Sequence, residues 1–310
     1  MLRRALIALF ATPFLAFATV GLANAEPLTV LAGTSALITF DSASPGTVSS
    51  PITITGLQGG ESILGIDRRP ANGLLYGIGS TSRLYLINPT TGAATQVGSA
   101  GAFTLSGTAF GLDFNPVVDR LRVVSSTGQN LRINPNDGTL TATDTAVAYA
   151  AGDPNAGATP RVVGAAYTNN VIGASLTTLY IIDSNLDILA TQGGINGSPS
   201  PNGGQLFTVG AMGFNTSDLV GFDISGLTGV AYAALTPPTG GSSQLFTINL
   251  TTGAATLVGT IGGGLTITGL AASVGSPVPE PTTLLLFATG IAATGIKMRR
   301  RWKASRPKKM

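Results

Sequence analysis

Residues 84–98 read LYLINPTTGAATQVG, and residues 245–259 read LFTINLTTGAATLVG. Eleven of the fifteen positions are identical, at a spacing of 161 residues. Each copy has hairpin chemistry: a short strand of β-branched and aromatic residues runs into Asn88 or Asn249, and a Thr/Val strand returns after a glycine. An Asn at that place can accept hydrogen bonds from its own downstream backbone, and Gly92 or Gly253 can supply the positive φ of the turn. Degenerate copies are Leu131-Arg132-Ile133-Asn134-Pro135, Leu179-Tyr180-Ile181-Ile182-Asp183 and Leu37-Ile38-Thr39-Phe40-Asp41.

A second element recurs ahead of these hairpins: ILGID at 63–67, AFGLD at 109–113, VVGAA at 162–166, LVGFD at 219–223 and ITGLA at 267–271. Its glycines stand at 65, 111, 164, 221 and 269. In the clearest units a further strand follows, LLYGI at 74–78 and RLRVV at 120–124. A unit is therefore four short antiparallel strands in about fifty residues, the length of a β-propeller blade. A glycine in the first strand suits the crowded position nearest a central axis. Residues 28–54 form a hairpin without its inner strand, and residues 265–273 an inner strand without its hairpin. Joined, they complete one blade and remove a free sheet edge. The expected fold is all-β: a five-bladed propeller-like body closed by its N- and C-terminal strands. A β-sandwich or β-solenoid of the same strand count is the alternative.

The stretches LGIDRRPANGLLYGIG at 64–79 and GLDFNPVVDRLRVVSSTGQNLRINP at 111–135 make the body resemble a bacterial family, domain of unknown function 4394, through most of residues 30–273. That resemblance implies a propeller-like fold and brings no reaction with it.

The two ends of the chain read as addresses. Arg3 and Arg4 precede an apolar stretch at 5–22, and Ala23-Asn24-Ala25 offers small residues where a signal peptidase cuts. Residues 1–25 are expected to be a secretory signal peptide, and 26–276 the exported body. Val278-Pro279-Glu280-Pro281 precedes an uncharged apolar run at 282–296 and then Lys297, Arg299, Arg300, Arg301 and Lys303. Residues 282–298 number 17, close to the lower limit of about 17 for a spanning helix. The basic block is expected to stay cytoplasmic and stop transfer. Motif, apolar helix and Arg-rich end resemble the PEP-CTERM sorting signal of Gram-negative bacteria, over residues 278–303. The resemblance implies an inner-membrane anchor, cleavage near the motif by an exosortase, and final residence at the surface or in an exopolysaccharide-rich matrix.

Trimmed of both ends, the body has seven arginines, no lysine and 13 acidic residues, a net charge of −6. An acidic body argues against nucleic acid. The chain has no Cys and no His, which removes disulfides, His-based triads and the usual zinc sites. No cofactor, metal ligand or catalytic residue is assigned from sequence.

The body's charge contrast gathers at Asp67, Arg68, Asp113, Asp119 and Arg120. Two readings compete there: a small anion or sugar-acid site at a propeller mouth, or Asp–Arg pairs that fix blade contacts. Arg120 and Arg122 alternate and share one sheet face. Asp183-Ser184-Asn185-Leu186-Asp187 imitates the start of a calcium loop but has Ile188 at the glycine place and Gly194 at the terminal Glu place, so a hairpin turn is expected. Residues 193–204, with Pro199 and Pro201, are expected to be a flexible loop. The resulting functional reading is a non-enzymatic exported binding or structural module for exopolysaccharide. A secreted lyase or glycosidase with an Asp/Arg site, and a calcium-stabilised scaffold, are the rivals.

Overall fold

A computed structural model of the chain describes residues 25–275. The signal-peptide segment with Ala23, the motif residues Val278, Pro279, Glu280 and Pro281, the apolar run, and Lys297, Arg299, Arg300 and Arg301 lie outside the described residues. Among the described residues no helix is long and apolar enough to cross a membrane.

Five antiparallel sheets are arranged around one axis. The first blade is Ile267–Ala271, Pro27–Ala32, Ala36–Asp41 and Ile52–Thr53, so the C-terminal strand supplies its inner edge. The second is Ile63–Arg68, Leu75–Gly79, Arg83–Ile87 and Ala94–Val97; the third is Phe110–Asn115, Arg120–Ser125, Asn130–Ile133 and Leu140–Thr143. The fourth is Val162–Tyr167, Leu179–Asp183, Ile188–Gln192 and Gln205–Ala211, and the fifth is Val220–Ile224, Ala231–Leu235, Gln244–Ile248 and Ala255–Thr260. The fourth blade departs from the four-strand expectation. Ala148–Tyr149 adds a fifth, parallel strand outside Gln205–Ala211. The five inner strands pack on one another in ring order, and the ring is closed between Val220–Ile224 and Ile267–Ala271.

The hairpin turns form as their sequence chemistry dictates. Asn88 Oδ1 accepts from the backbone N–H of Thr90 and Thr91, and Asn249 Oδ1 from those of Thr251 and Thr252, at 2.9 and 3.1 Å in each case. Gly92 and Gly253 have φ of 74° and 81°. The core is divided like the sheets. Five apolar clusters fill the five spaces between adjacent blades; Ile182, Phe222 and Phe246 belong to the one between the fourth and fifth.

At the axis the glycines are needed for space. A Cβ on Gly111 would stand 2.5 Å from the carbonyl carbon of Gly164 and 2.6 Å from the nitrogen of Ala165. One on Gly221 would stand 2.7 Å from the carbonyl carbon of Gly269. Side-chain-free positions let the inner strands approach main chain to main chain, leaving about 10 Å³ of open space on the axis at this level. That is at the threshold of a single water.

Both ends of the body emerge on one face. Thr29 pairs with Ala271 at the start of its strand, so the chain enters beside the end of the inner strands. It leaves past Ser273, whose carbonyl accepts from Gly226 N–H, and Gly275, whose N–H donates to the Asn170 carbonyl.

Candidate functional site

Three of the five inner strands carry an aspartate two residues after the axial glycine: Asp67, Asp113 and Asp223. The other two carry Ala166 and Ala271 there. The strands run in register around the axis, so the three carboxylates converge, with one oxygen of each within 4.8 Å of the other two. They are 1%, 1% and 3% exposed. The next residue of every inner strand directs its backbone N–H at this cluster. Asp67 Oδ1 accepts from Arg68 N (2.6 Å) and Oδ2 from Phe114 N (2.9 Å). Asp113 Oδ2 accepts from Tyr167 N (2.6 Å). Asp223 Oδ1 accepts from Ile224 N (2.6 Å) and Oδ2 from Ala272 N (2.7 Å). Five N–H groups, one per blade, thus meet six carboxylate oxygens. The sixth, Asp113 Oδ1, accepts from no donor; the Asp113 and Asp67 carboxyls adjoin each other and can bond only through a shared proton.

Burial pushes the Asp67 carboxyl up to about 6, against the hydrogen bonds that favour its charged form. Asp113 and Asp223 are raised well above the usual carboxylate range, by burial first and then by the neighbouring acids. Sequence reasoning found Asp67 and Asp113 and missed Asp223. The signal was present: Gly221-Phe222-Asp223 repeats the Gly-x-Asp spacing of Gly65-Ile66-Asp67 and Gly111-Leu112-Asp113.

The five residues with charge contrast do not form one site. Asp119, at φ 51°, takes the guanidinium of Arg69 from the neighbouring blade in a two-pronged pair, with Arg69 Nε 2.7 Å from Oδ1. The Arg120 guanidinium folds back on the Asp119 carbonyl (2.8 Å). Arg122, fully buried, donates to Tyr167 Oη (2.9 Å), Asp144 Oδ2 (2.9 Å) and Asn202 Oδ1 (2.6 Å), clasping the third blade to the fourth. Arg132 holds both oxygens of Asp144. Blade-fixing pairs therefore account for Asp119, Arg122 and Asp144. The 193–204 segment, expected to be flexible, is tied down: Asn202 is held by Arg122, and the Pro201 carbonyl accepts from Gln192 Nε2 at 2.9 Å. The Asp183 turn accepts from Asn185 N (2.8 Å), Arg161 N and Tyr149 Oη, which uses its oxygens for the hairpin.

Arg68 stands apart. Its guanidinium donates to the Gly73 carbonyl and Thr29 Oγ1, both at 3.2 Å, and it remains partly exposed. It lines an open groove of about 580 Å³ between the first and second blades, with Thr29, Thr39, Ser49, Thr90 and Ser273. An adjoining space of about 520 Å³ shares Arg68, Pro89 and Thr90 and adds Asn88. Both sizes are in the range of small-ligand sites. Burial lowers the Arg68 pKa, while Asp67 and Asp223 oppose that shift.

Comparison with curated proteins finds no match. Among solved structures the chain is similar to a putative 6-phosphogluconolactonase from Bacteroides uniformis (12% identity, 77% of this chain and 83% of that one, TM-score 0.40). It is similar to a protein of unknown function from Bacteroides thetaiotaomicron (14% identity, 74% and 56%, TM-score 0.41). It is also similar to PorZ, a surface component of the type-IX secretion system of Porphyromonas gingivalis (10% identity, 74% and 27%, TM-score 0.37). Likeness at this level carries nothing about function. Residues 277–301 match the PEP-CTERM protein-sorting motif. Residues 36–271 match the family described as domain of unknown function 4394, and with this repeat body the chain belongs to that family.

Proposed function

We propose that this exported propeller is held at the inner membrane by its C-terminal tail until an exosortase cuts near Val278-Pro279-Glu280-Pro281, and that it then works as a non-enzymatic binding module for exopolysaccharide. The observation that carries this reading is the position of the Arg68 groove. It is bordered by Ser273, a few residues before the sorting motif, on the face where the chain leaves the body. Its hydroxyl-rich lining and one guanidinium offer the donors and acceptors that sugar hydroxyls and uronate groups engage.

Six residues separate Gly275 from the apolar run that starts at residue 282. Even fully extended they reach about 20 Å. The exit face is therefore kept against the bilayer while the tail is intact. Its loop tips suit that neighbour: Leu74, Val118, Leu176, Ile195 and Leu227 are all exposed there. Cleavage turns a groove that faced lipid toward the matrix.

Binding of the host's own exopolysaccharide tests the reading, measured for the processed protein, for the uncut protein in nanodiscs and for Arg68→Gln. The processed form should bind. The other two should bind about tenfold more weakly or worse, the effect of losing a charge-assisted hydrogen bond or its access. Failure of the processed wild-type protein to bind would remove the proposal.

A further inference from the structure

The axial aspartates have a surplus that the fold does not absorb. Three buried carboxylates each bring one oxygen to within 4.8 Å of the others. Five backbone N–H groups occupy five of the six oxygens, and Asp113 Oδ1 is left bare in a side chain that is 1% exposed. Asn170, 2% exposed, brings its amide to Asp223 (Nδ2 to Oδ1, 3.3 Å), and its own oxygen also lacks a partner. Charge is unbalanced in the same sense. Arg68 is the cation that acts on Asp67 and Asp223, yet its guanidinium is bonded elsewhere; Glu26 adds another negative charge near Asp223. The bare Asp113 oxygen among three converging buried acids, with a second unpaired oxygen on the adjoining Asn170, defines a place for a cation.

We propose that the axis holds one divalent cation, calcium by its chemistry, bound by Asp67, Asp113 and Asp223 with Asn170 beside them. The donor atoms are all oxygen, which selects hard cations over zinc or copper. Two ligands on opposite sides of one calcium are about 4.6–5.2 Å apart, whereas magnesium draws them to about 4.0–4.2 Å and keeps several waters. The 4.8 Å upper limit on their separation admits either ion, and the enclosure decides for calcium, because magnesium gives up its waters reluctantly. The ion joins inner strands of the second, third and fifth blades, so its work is to lock the closed ring. This site is separate from the Arg68 groove and does not depend on what the groove binds.

The ion is enclosed, so the test is made through folding. Full-length protein is unfolded in denaturant with EDTA and refolded either in EDTA or in calcium, then assayed for metal content and melting temperature. One equivalent of calcium should be retained after desalting. At a hundredfold excess over Kd, Tm should be about 5–10 °C above the EDTA form. Asp113→Asn should lose both effects, while Asp137→Asn, a change at an exposed turn, should keep them. If Asp113→Asn does not fold, terbium refolded into the wild-type protein gives the answer: emission excited through tyrosine and displaced by calcium supports the site. No retained metal and equal melting in EDTA and calcium would overturn the proposal, since the triad would then be balanced by protons. A calcium effect that survives in Asp113→Asn would overturn it too, by placing the ion elsewhere.

Discussion

Replacing Gly111 by Ala tests the closure of the ring with the smallest possible side chain. The added Cβ would lie 2.5 Å from Gly164 C, 2.6 Å from Ala165 N and 2.9 Å from Ala165 Cβ. Relief to ordinary contact requires a shift of almost 1 Å, and two of the three atoms are main chain of the adjacent inner strand. That strand cannot retreat freely, because it is crowded in turn by the next blade: a Cβ built on Gly164 would stand 3.0 Å from the Cβ of Phe222. Overpacking of this kind costs about 1–3 kcal/mol, and main-chain clashes in a closed ring belong at the upper end. For a domain of this size each kcal/mol moves Tm by about 2–4 °C, so G111A should melt about 6–12 °C below wild type. The control is Gly59→Ala, where a Cβ meets nothing within 4 Å and φ is not positive. It should melt at or slightly above wild type, because alanine lowers the entropy of the unfolded chain. Thermal unfolding followed by circular dichroism separates the two. If G111A melts with wild type, the inner strands do not meet at the axis as described.

Arg122→Ala should be more damaging, by about 3–5 kcal/mol in urea unfolding, because it strips Asn130 and Asn202 of a buried donor and leaves Asp144 to Arg132 alone. Burial raises the Asp144 carboxyl, but the bonds from Arg132 and Arg122 outweigh it and hold the pKa below the ordinary 3.8. A depressed folded-state pKa contributes stability that is complete above 3.8 and lost as pH falls below it. Melting between pH 5 and 2.5 should therefore fall less steeply for Asp144→Asn than for wild type. The chain lacks Cys, so single cysteines can test whether the exit face meets the bilayer as proposed. A polarity-sensitive dye at Leu74, Val118 or Leu227 should shift to the blue in proteoliposomes of the uncut protein and return on tail removal, whereas one at Thr127, at the opposite end of the blades, should not respond.

The blade was legible because its determinants are local. Asn88 and Asn249 make turns from their own side chains, and glycines at 65, 111, 164, 221 and 269 mark the axis by what they lack. Closure by Ile267–Ala271 was legible from two incomplete units at the ends of the body. The aspartate cluster was legible only in part. Gly-x-Asp occurs three times, but burial at the axis depends on register between strands far apart in sequence, which the carboxylates disclose only once the ring is closed. Nor does sequence spacing reveal that Asp119 turns to Arg69 while Arg68, one residue away, opens on the groove: the two arginines alternate across the end of a strand, and neighbouring blades decide their partners. The extra strand at Ala148–Tyr149 left no trace of its own, since two residues carry no periodicity.

The most direct test of the account is the intact mass of the protein recovered from a host with an active exosortase. The prediction is a chain that begins at Glu26 and ends near Pro279-Glu280-Pro281, without Lys297, Arg299, Arg300 and Arg301. Pro279 and Pro281 resist helix formation and keep the backbone extended for a protease, so changing Pro279-Glu280-Pro281 to three alanines should leave the C-terminus intact and the protein in the membrane fraction. A wild-type chain that keeps its arginine cluster in such a host would contradict the account and make the tail a permanent anchor.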